Sequence, residues 1–373
     1  MLVVFGIITV FYAGFIGLIA GGVLFGGRRR VSSPTCQGIS VIIAARNEAA
    51  NLPGLIEHLR RVNYPPEQYE FIIVNDHSTD ASMAILDPLR AEPNFLGLDF
   101  QEREHLYTGK KAALMYGIDR SRFDILAFTD ADALPNANWL RAIDRAMDEQ
   151  TDYAVGLTVL LDRKKPRTFR LKTFERCVYA ALCAGGLAWK IPITSFAGNH
   201  AYRKDLFRKA GAFDGIGHLR SGDDDLLLMK MMPHIRTAGF VYSPEMKMNL
   251  WDGADRKTRH QTNIRRASKF TCFPWWLRIS SSAAFIYWIL VYLVVGLWLF
   301  SLWHPGTESI AGSHTVLTML AVKTGAELIL LTSFLARVRL IKLLVLYPVQ
   351  ILLFPLQFIF YALRGTLGSY QWK

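Results

Sequence analysis

Asp130-Ala131-Asp132 closes the apolar run Phe123-Asp124-Ile125-Leu126-Ala127-Phe128-Thr129, so two carboxylates stand one residue apart where a buried segment ends. Residues i and i+2 of an extended backbone face the same side, and Asp130 and Asp132 are expected to meet one ligand together. Adjacent anions repel unless a cation lies between them. Hard oxygen donors of this kind suit Mg²⁺ or Mn²⁺, with substrate phosphates filling the remaining positions. A solvated acidic turn is the alternative for so short a motif. Other carboxylates recur in comparable settings: Asp76 and Asp80 after the apolar Glu70-Phe71-Ile72-Ile73-Val74, and Ser221-Gly222-Asp223-Asp224-Asp225 before Leu226-Leu227-Leu228-Met229. Capping of a helix dipole accounts for one or two of the last three carboxylates, and a third points to chemistry.

The elements that position these groups follow from pattern. The run before Asp130 is short, apolar and aromatic, which predicts a central parallel strand entering a loop, and ligands of open α/β sheets gather at such carboxyl ends. Gly38-Ile39-Ser40-Val41-Ile42-Ile43-Ala44-Ala45 predicts a first strand, and Asn51 a cap for a helix with Leu52, Leu55, Ile56 and Leu59 on one face. A second strand over 70–74 is followed by a polar turn and a helix over Ala81 to Leu89. Repeated strand, turn and helix predict βαβ units. Asp80 reads as a helix cap, whereas Asp76 stands where a doubly wound sheet meets a ribose or base. Gly109-Lys110-Lys111-Ala112-Ala113-Leu114 opens another helix, whose lysines either lie in solvent or meet a diphosphate. Phe196 to Arg203 predicts a buried turn and strand, and Gly211-Ala212-Phe213-Asp214 follows a short helix.

Hydrophobic residues make up 51% of the 373, and they are concentrated at the two ends. Leu2 to Phe25 is long enough to cross a bilayer and is followed by Arg28-Arg29-Arg30, whose charges stand on the wrong side for a cleaved signal peptide. Three more candidates are Ala283 to Trp303, Thr315 to Leu335 and Leu343 to Leu363; the second carries Lys323 and Glu327 at i, i+4, and the last carries Pro348 and Pro355. The loop from His304 to His314 lacks Lys and Arg, whereas Arg337, Arg339 and Lys342 follow the next span, so the central region is expected on the cytoplasmic face. The expected organisation is an N-terminal transmembrane helix over 1–27, a cytoplasmic domain over 38–260, an interfacial segment over 261–281 with Pro274 interrupting it, and a membrane region over 282–373 with about three spans. In a bacterium this is a protein of the inner (plasma) membrane. Forty-three Lys and Arg against 31 Asp and Glu leave a charge of +12. Because the basic clusters flank apolar segments, anionic lipid and nucleotide phosphate are expected partners and nucleic acid is not. Four scattered cysteines show no metal spacing, and no disulfide is expected.

The order of these motifs resembles the family 2 glycosyltransferases of the GT-A fold, in particular their membrane-anchored members. The resemblance runs from about Ser40 to Lys269 through Arg46-Asn47-Glu48, Asn75-Asp76-His77-Ser78-Thr79-Asp80, Gly109-Lys110-Lys111, Asp130-Ala131-Asp132, Gly198-Asn199-His200-Ala201-Tyr202-Arg203 and Gly222-Asp223-Asp224-Asp225-Leu226. It implies an α/β class with a GT-A type, Rossmann-like, mostly parallel sheet domain flanked by transmembrane helices. It implies a nucleotide-sugar site, UDP-linked by expectation, at Ala45, Asn47, Glu48, Asp76, Lys110, Asp130, Ala131 and Asp132. Asp130 and Asp132 would hold a divalent cofactor, Mn²⁺ or Mg²⁺, on the diphosphate. A carboxylate of the later acidic motif would be the catalytic base. Matching Asp225-Leu226 to the family's final Asp-Leu selects Asp223, and matching a shorter Gly-Asp-Asp pattern selects Asp224; Asp223 is preferred. Asn199, Arg265 and Arg266 would meet acceptor or diphosphate.

The reaction so implied is an inverting displacement, in which an acceptor hydroxyl loses its proton to a carboxylate as nucleoside diphosphate leaves. The Gln-x-x-Arg-Trp segment of processive relatives is replaced by Gln261-Thr262-Asn263-Ile264-Arg265-Arg266, which lacks the tryptophan. Transfer of one sugar to a lipid or membrane-embedded acceptor is therefore expected over the alternative, a processive polysaccharide synthase. A haloacid-dehalogenase-like phosphatase would also place Asp-x-Asp after a strand, but it requires Thr or Val at 134, where Leu134 stands, and a second downstream Asp at 227, where Leu227 stands. A non-catalytic scaffold would be expected to have lost carboxylates that this chain keeps.

Overall fold

A computed structural model describes residues 2–26, 35–101, 106–161, 170–219, 221–251, 256–303 and 313–367. Its contacts divide the chain into two units, Phe25–Gly253 and, together, Met1–Leu24 with Ala254–Lys373. The sequence boundary expected at 260 falls inside a helix of the second unit. Among the described residues the α-helices are α1 (Leu2–Phe25), α2 (Leu52–Arg60), α3 (Ser82–Leu86), α4 (Lys110–Asp119), α5 (Trp139–Ala146), α6 (Arg170–Ala188), α7 (Lys204–Lys209), α8 (Asp225–Met231), α9 (Arg256–Ser268), α10 (Trp275–Trp303), α11 (Ser313–Arg337) and α12 (Tyr347–Leu367). The strands are β1 (Ile39–Ala45), β2 (Tyr69–Asp76), β3 (Phe95–Phe100), β4 (Ile125–Phe128), β5 (Ala133–Leu134), β6 (Tyr153–Gly156), β7 (Thr158–Leu161), β8 (His200–Arg203), β9 (Ala238–Val241) and β10 (Met248–Trp251).

In the first unit a seven-stranded sheet runs β3-β2-β1-β4-β8-β6-β9, beside a three-stranded sheet β5-β10-β7. β1 lies parallel to β2, with Ile39 opposite Tyr69, and parallel to β4, with Ile42 opposite Phe128. β8 runs antiparallel to both β4 and β6, so the sheet is mixed, and β4 is parallel on one side alone. β1 is a near-continuous run of β-branched and small residues, the composition of a strand covered on both faces. One face carries Val41 and Ile43 against Leu55 and Leu59 of α2 and Trp139 and Ile143 of α5. The other receives α4, where a Cβ on Gly117 would stand 2.9 Å from Ile42 and 3.1 Å from Val74. The missing side chain lets α4 press onto β1 and β2, which brings its first residues to the carboxyl edge of the sheet.

Two local expectations are corrected. Asn51 precedes α2 but makes no side-chain cap; its amide donates instead to Glu48 Oε2 at 2.6 Å, and the Glu48 carbonyl receives the Asn51 and Leu52 N–H groups. The helix expected over Ala81 to Leu89 is α3 followed by a 3₁₀ turn over Asp87–Ala91, because Pro88 cannot donate into a continuing α-helix.

In the second unit α1, α10, α11 and α12, the last with the 3₁₀ turn Ile341–Leu346 before it, are long and apolar enough to cross a membrane. Arg28-Arg29-Arg30 and the loop 304–312, which bear on orientation, lie outside the described residues. Pro274 comes just before α10, so Trp275 and Trp276 begin that long helix rather than continue an interfacial one. The Lys323–Glu327 pair expected on α11 is present at 2.8 Å. Glu327 also accepts from Tyr12 of α1 and Tyr347 of α12, each at 2.6 Å, and the Lys323 ammonium lies 4.2 Å from the ring centre of Trp288 on α10. One carboxylate and its lysine thereby join all four apolar helices. α9 packs on α12 at Gly365, where a Cβ would meet Ala267 at 2.5 Å. Arg265 and Arg266 belong to α9, and Arg266 is exposed.

Candidate active site

The carboxyl ends of β1, β2 and β4 open on one edge of the large sheet, and each leads into a polar turn. After β1, Asn47 adopts a left-handed backbone, φ 54°, as does His77 after β2. Those two loops are laced together. Asn47 N donates to Ser78 Oγ at 2.9 Å, Thr79 N to Asn47 Oδ1 at 2.8 Å, and Glu48 N to Ser82 Oγ at 2.9 Å. Asp80 is not the cap expected of it, since Ala81 holds the N-cap position of α3 with no side-chain cap; it receives Ser82 N, two residues on, and Ala49 N from the neighbouring loop. Ala45 is buried at the strand end. The Asp76 carboxylate, at the last residue of β2, meets His77 Nδ1 at 2.9 Å.

Asp130-Ala131-Asp132 is a turn, not the extended strand end expected from spacing: Ala133 N donates back to the Asp130 carbonyl at 3.1 Å. The turn still sets the two carboxylates within electrostatic reach of each other. Burial first, and then the negative charges of Asp130 and Glu48, push the Asp132 carboxyl up to about 7, with Arg176 acting the other way. Gly198 comes up beneath Asp130; a Cβ there would lie 2.7 Å from Asp130 Oδ2, and Thr129 Oγ1 donates to the Gly198 carbonyl at 3.0 Å. The glycine is required by the carboxylate above it, a requirement visible only once β8 is placed beside β4.

Neither lysine of the α4 start lies in solvent. Lys110 Nζ stands 2.7 Å from Asp130 Oδ1 and 3.3 Å from Asp223 Oδ2. Burial opposes its charge, but the two carboxylates hold it protonated above the ordinary lysine range. Lys111 is 1% exposed and donates to the carbonyls of Leu219 and Ser221 at 2.6 and 2.8 Å. With Thr108 N on the Gly217 carbonyl at 2.9 Å and Tyr107 OH on Asp214 at 2.7 Å, residues 107–111 are stapled to the loop carrying the second acidic motif. That loop ends in α8, whose first residue Asp225 accepts from the adjoining Leu226 N; Asp224 stands at the N-cap position and makes no side-chain cap, so the capping expected of this motif is not seen.

A small cleft is lined by Lys110, Phe128, Thr129, Ala197, His200 and Asp223. His200 is buried and stacked on Phe128 at 4.9 Å, and desolvation lowers its pKa from the ordinary imidazole value. Asn199 does not reach this cleft. Its side chain is wholly buried, accepting from Trp139 Nε1 at 3.0 Å and donating to the Leu157 and Met246 carbonyls, so it ties α5 to the segments just after β6 and just before β10 instead of meeting a ligand. The structure therefore gathers Asp130, Asp132, Lys110 and Asp223 at one edge, with Asp76, Asn47 and Glu48 on the adjoining loops. Lys111, offered by sequence for solvent or a diphosphate, instead holds two backbone carbonyls, and Gly198 and His200 stand among them without having been singled out by residue type.

The residues present fit a divalent cation in a specific way. Asp130 and Asp132, with Glu48 close enough to perturb Asp132, form a crowded anionic patch that a cation would relieve. Among the described residues no cluster of three carboxylate, histidine or cysteine ligands is assembled. That donor set suits an ion completed by substrate phosphates rather than one held by protein alone.

The mixed sheet and the helices that cover it are those of the GT-A fold. The mannosyltransferase PcManGT of Pyrobaculum calidifontis, solved with GDP-Man and Mn²⁺, has the same fold, with a TM-score of 0.55 and 18% identity over 94% of this chain and 99% of that one. Residues 40–213 match the family model Glycosyl transferase family 2, so the chain carries a domain of that family. A probable glycosyltransferase of Bacillus subtilis, YdaM, is 24% identical over 217 residues, 57% of this chain and 51% of the relative. A beta-monoglucosyldiacylglycerol synthase of Nostoc is 34% identical over 122 residues, 32% of this chain and 26% of the relative. The chain thus spans about half or less of the length of these relatives.

Proposed function

We propose that this protein is a membrane-bound, metal-assisted, inverting glycosyltransferase that moves a single sugar from a nucleotide sugar, UDP-linked by preference, to a lipid or other membrane-embedded acceptor. The observation that carries the reading is the meeting of Asp130 and Asp223 on Lys110, which supports assigning the first to the leaving-group side and the second to the nucleophile side of a displacement. In this reading Asp76, Asn47 and Glu48 hold the nucleoside, and Lys110 supplies positive charge to the diphosphate. Bound at Asp130 and Asp132, Mn²⁺ or Mg²⁺ would supply Lewis-acid stabilisation to the departing phosphate. Asp223 takes the proton of the acceptor hydroxyl, a contribution of roughly 10²- to 10⁴-fold. Asp224 is the less favoured base, since Asp223 is the carboxylate that stands at the edge shared with Lys110 and Asp130. Arg265 and Arg266 are assigned to the acceptor headgroup or diphosphate.

The four apolar helices support an acceptor that arrives from the bilayer, with the sheet domain on the cytoplasmic face of the plasma membrane. The names of relatives point the same way: the Nostoc synthase and a 4,4'-diaponeurosporenoate glycosyltransferase of Staphylococcus haemolyticus, 31% identical over 142 residues. A poly-beta-1,6-N-acetyl-D-glucosamine synthase of Staphylococcus aureus, 29% identical over 98 residues, supports the processive alternative. The test is incubation of membranes containing the full-length protein with labelled nucleotide sugars and Mn²⁺ or Mg²⁺, followed by mass spectrometry of the lipids. A lipid carrying one sugar of inverted anomeric configuration is expected. A ladder of products favours the processive reading, and no transfer to any lipid fraction refutes both.

A further inference from the structure

Lys110 compensates a carboxylate of each acidic motif at once, Asp130 at 2.7 Å and Asp223 at 3.3 Å. Resting on the glycosyltransferase reading, the two contacts make opposite demands. A base must take up a proton, and a neighbouring ammonium favours its ionised, less basic form. A donor diphosphate brings several charged oxygens to the same edge, and lysine, a compact charge on a flexible stem, exchanges partners readily. The Lys110 side chain is 25% exposed and that of Asp223 15%, so both can be reached by a ligand.

We infer that Lys110 is a positioning residue shared between Asp223 and the donor diphosphate, so that donor binding draws this ammonium from the base. Its surroundings allow the exchange without movement of the loop. Lys111, buried beside it, holds the Leu219 and Ser221 carbonyls, and Thr108 N holds that of Gly217. The turn bearing Asp223 therefore stays in place while the Lys110 side chain changes partner. Premature deprotonation of an acceptor or water is discouraged, and donor binding precedes chemistry.

The test is a double-mutant cycle on donor-side binding. UDP and GDP, each with Mn²⁺, are titrated calorimetrically into the full-length protein in detergent, as wild type, Asp223→Asn, Lys110→Gln and the double variant, with thermal unfolding to verify folding. Asp223→Asn removes the carboxylate that competes for the ammonium and is expected to bind nucleotide about three- to tenfold tighter. Lys110→Gln is expected to bind more weakly, and on that background Asp223→Asn changes nothing. Unchanged or weaker binding by folded Asp223→Asn overturns the inference. So does an equal gain with and without Lys110, which would mark general repulsion between Asp223 and the anion. Binding of neither nucleotide by the wild type refutes the donor reading itself and the inference with it.

Discussion

Gly198→Ala isolates the first acidic motif by adding one methyl group beneath it. The new Cβ would stand 2.7 Å from Asp130 Oδ2, and ordinary contact begins near 3.4 Å, so the carboxylate must retreat by about 0.7 Å. Metal–ligand distances tolerate about 0.2 Å, and misplacement of a reacting group by ~1 Å costs on the order of 10²-fold in rate. Transfer is therefore expected to fall about 10- to 100-fold, with Mn²⁺-dependent nucleotide affinity weakened in parallel. Stability should hold to within about 1 kcal/mol, because Asp130 is 34% exposed and can swing toward solvent at little cost. Calorimetry with Mn²⁺ and UDP or GDP, thermal unfolding and a lipid-transfer assay on one preparation measure all three. Wild-type nucleotide affinity in a folded Gly198→Ala protein would refute the reasoning, since Asp130 would then have moved without consequence for the donor.

Further outcomes follow from other contacts. Lys111→Met leaves the part-buried Leu219 and Ser221 carbonyls without their ammonium donor, and a loss of about 1–3 kcal/mol is expected, with hydrogen exchange rising at Gly217, Leu219 and Ser221; unchanged exchange would count against the staple. Asp152 is 4% exposed; burial opposes its ionisation, but hydrogen bonds and charge from Arg236 hold its carboxyl below the ordinary range. Its contribution is thus complete above an unfolded pKa near 3.9 and is lost as pH falls through the lower folded value. Asp152→Asn is expected to be less stable at pH 7 and to lose less stability between pH 5 and 2; parallel wild-type and variant profiles in chemical denaturation would reject the linkage. Glu327→Gln leaves the buried Lys323 without its counter-charge, and a cost of about 3–5 kcal/mol should lower the unfolding temperature in detergent. Lys323→Met on that background should recover part of the loss, and no recovery would argue against the pair as its cause.

The sequence by itself determined the strand ends, the apolar helices and the inventory of carboxylates. β1 and β4 announce themselves as short buried runs, and Lys323 and Glu327 as a pair one helical turn apart, because burial and period act over neighbouring residues. β3, the small sheet of β5, β7 and β10, and the antiparallel course of β8 were not legible, since pairing between distant segments leaves no local period. The same limit governed the site. Spacing placed Asp130 and Asp132 together but gave an extended geometry where the chain turns, and residue type suggested Asn199 for a ligand when three buried hydrogen bonds occupy it. Tertiary structure alone decided that Lys110 meets Asp130 and Asp223 at one point, that Lys111 grips the loop between them and that Gly198 must lack a side chain. Each is a contact between parts of the chain that only the closed sheet brings together, and an ammonium or a methyl group acts over a few ångströms in space, not over distance in sequence.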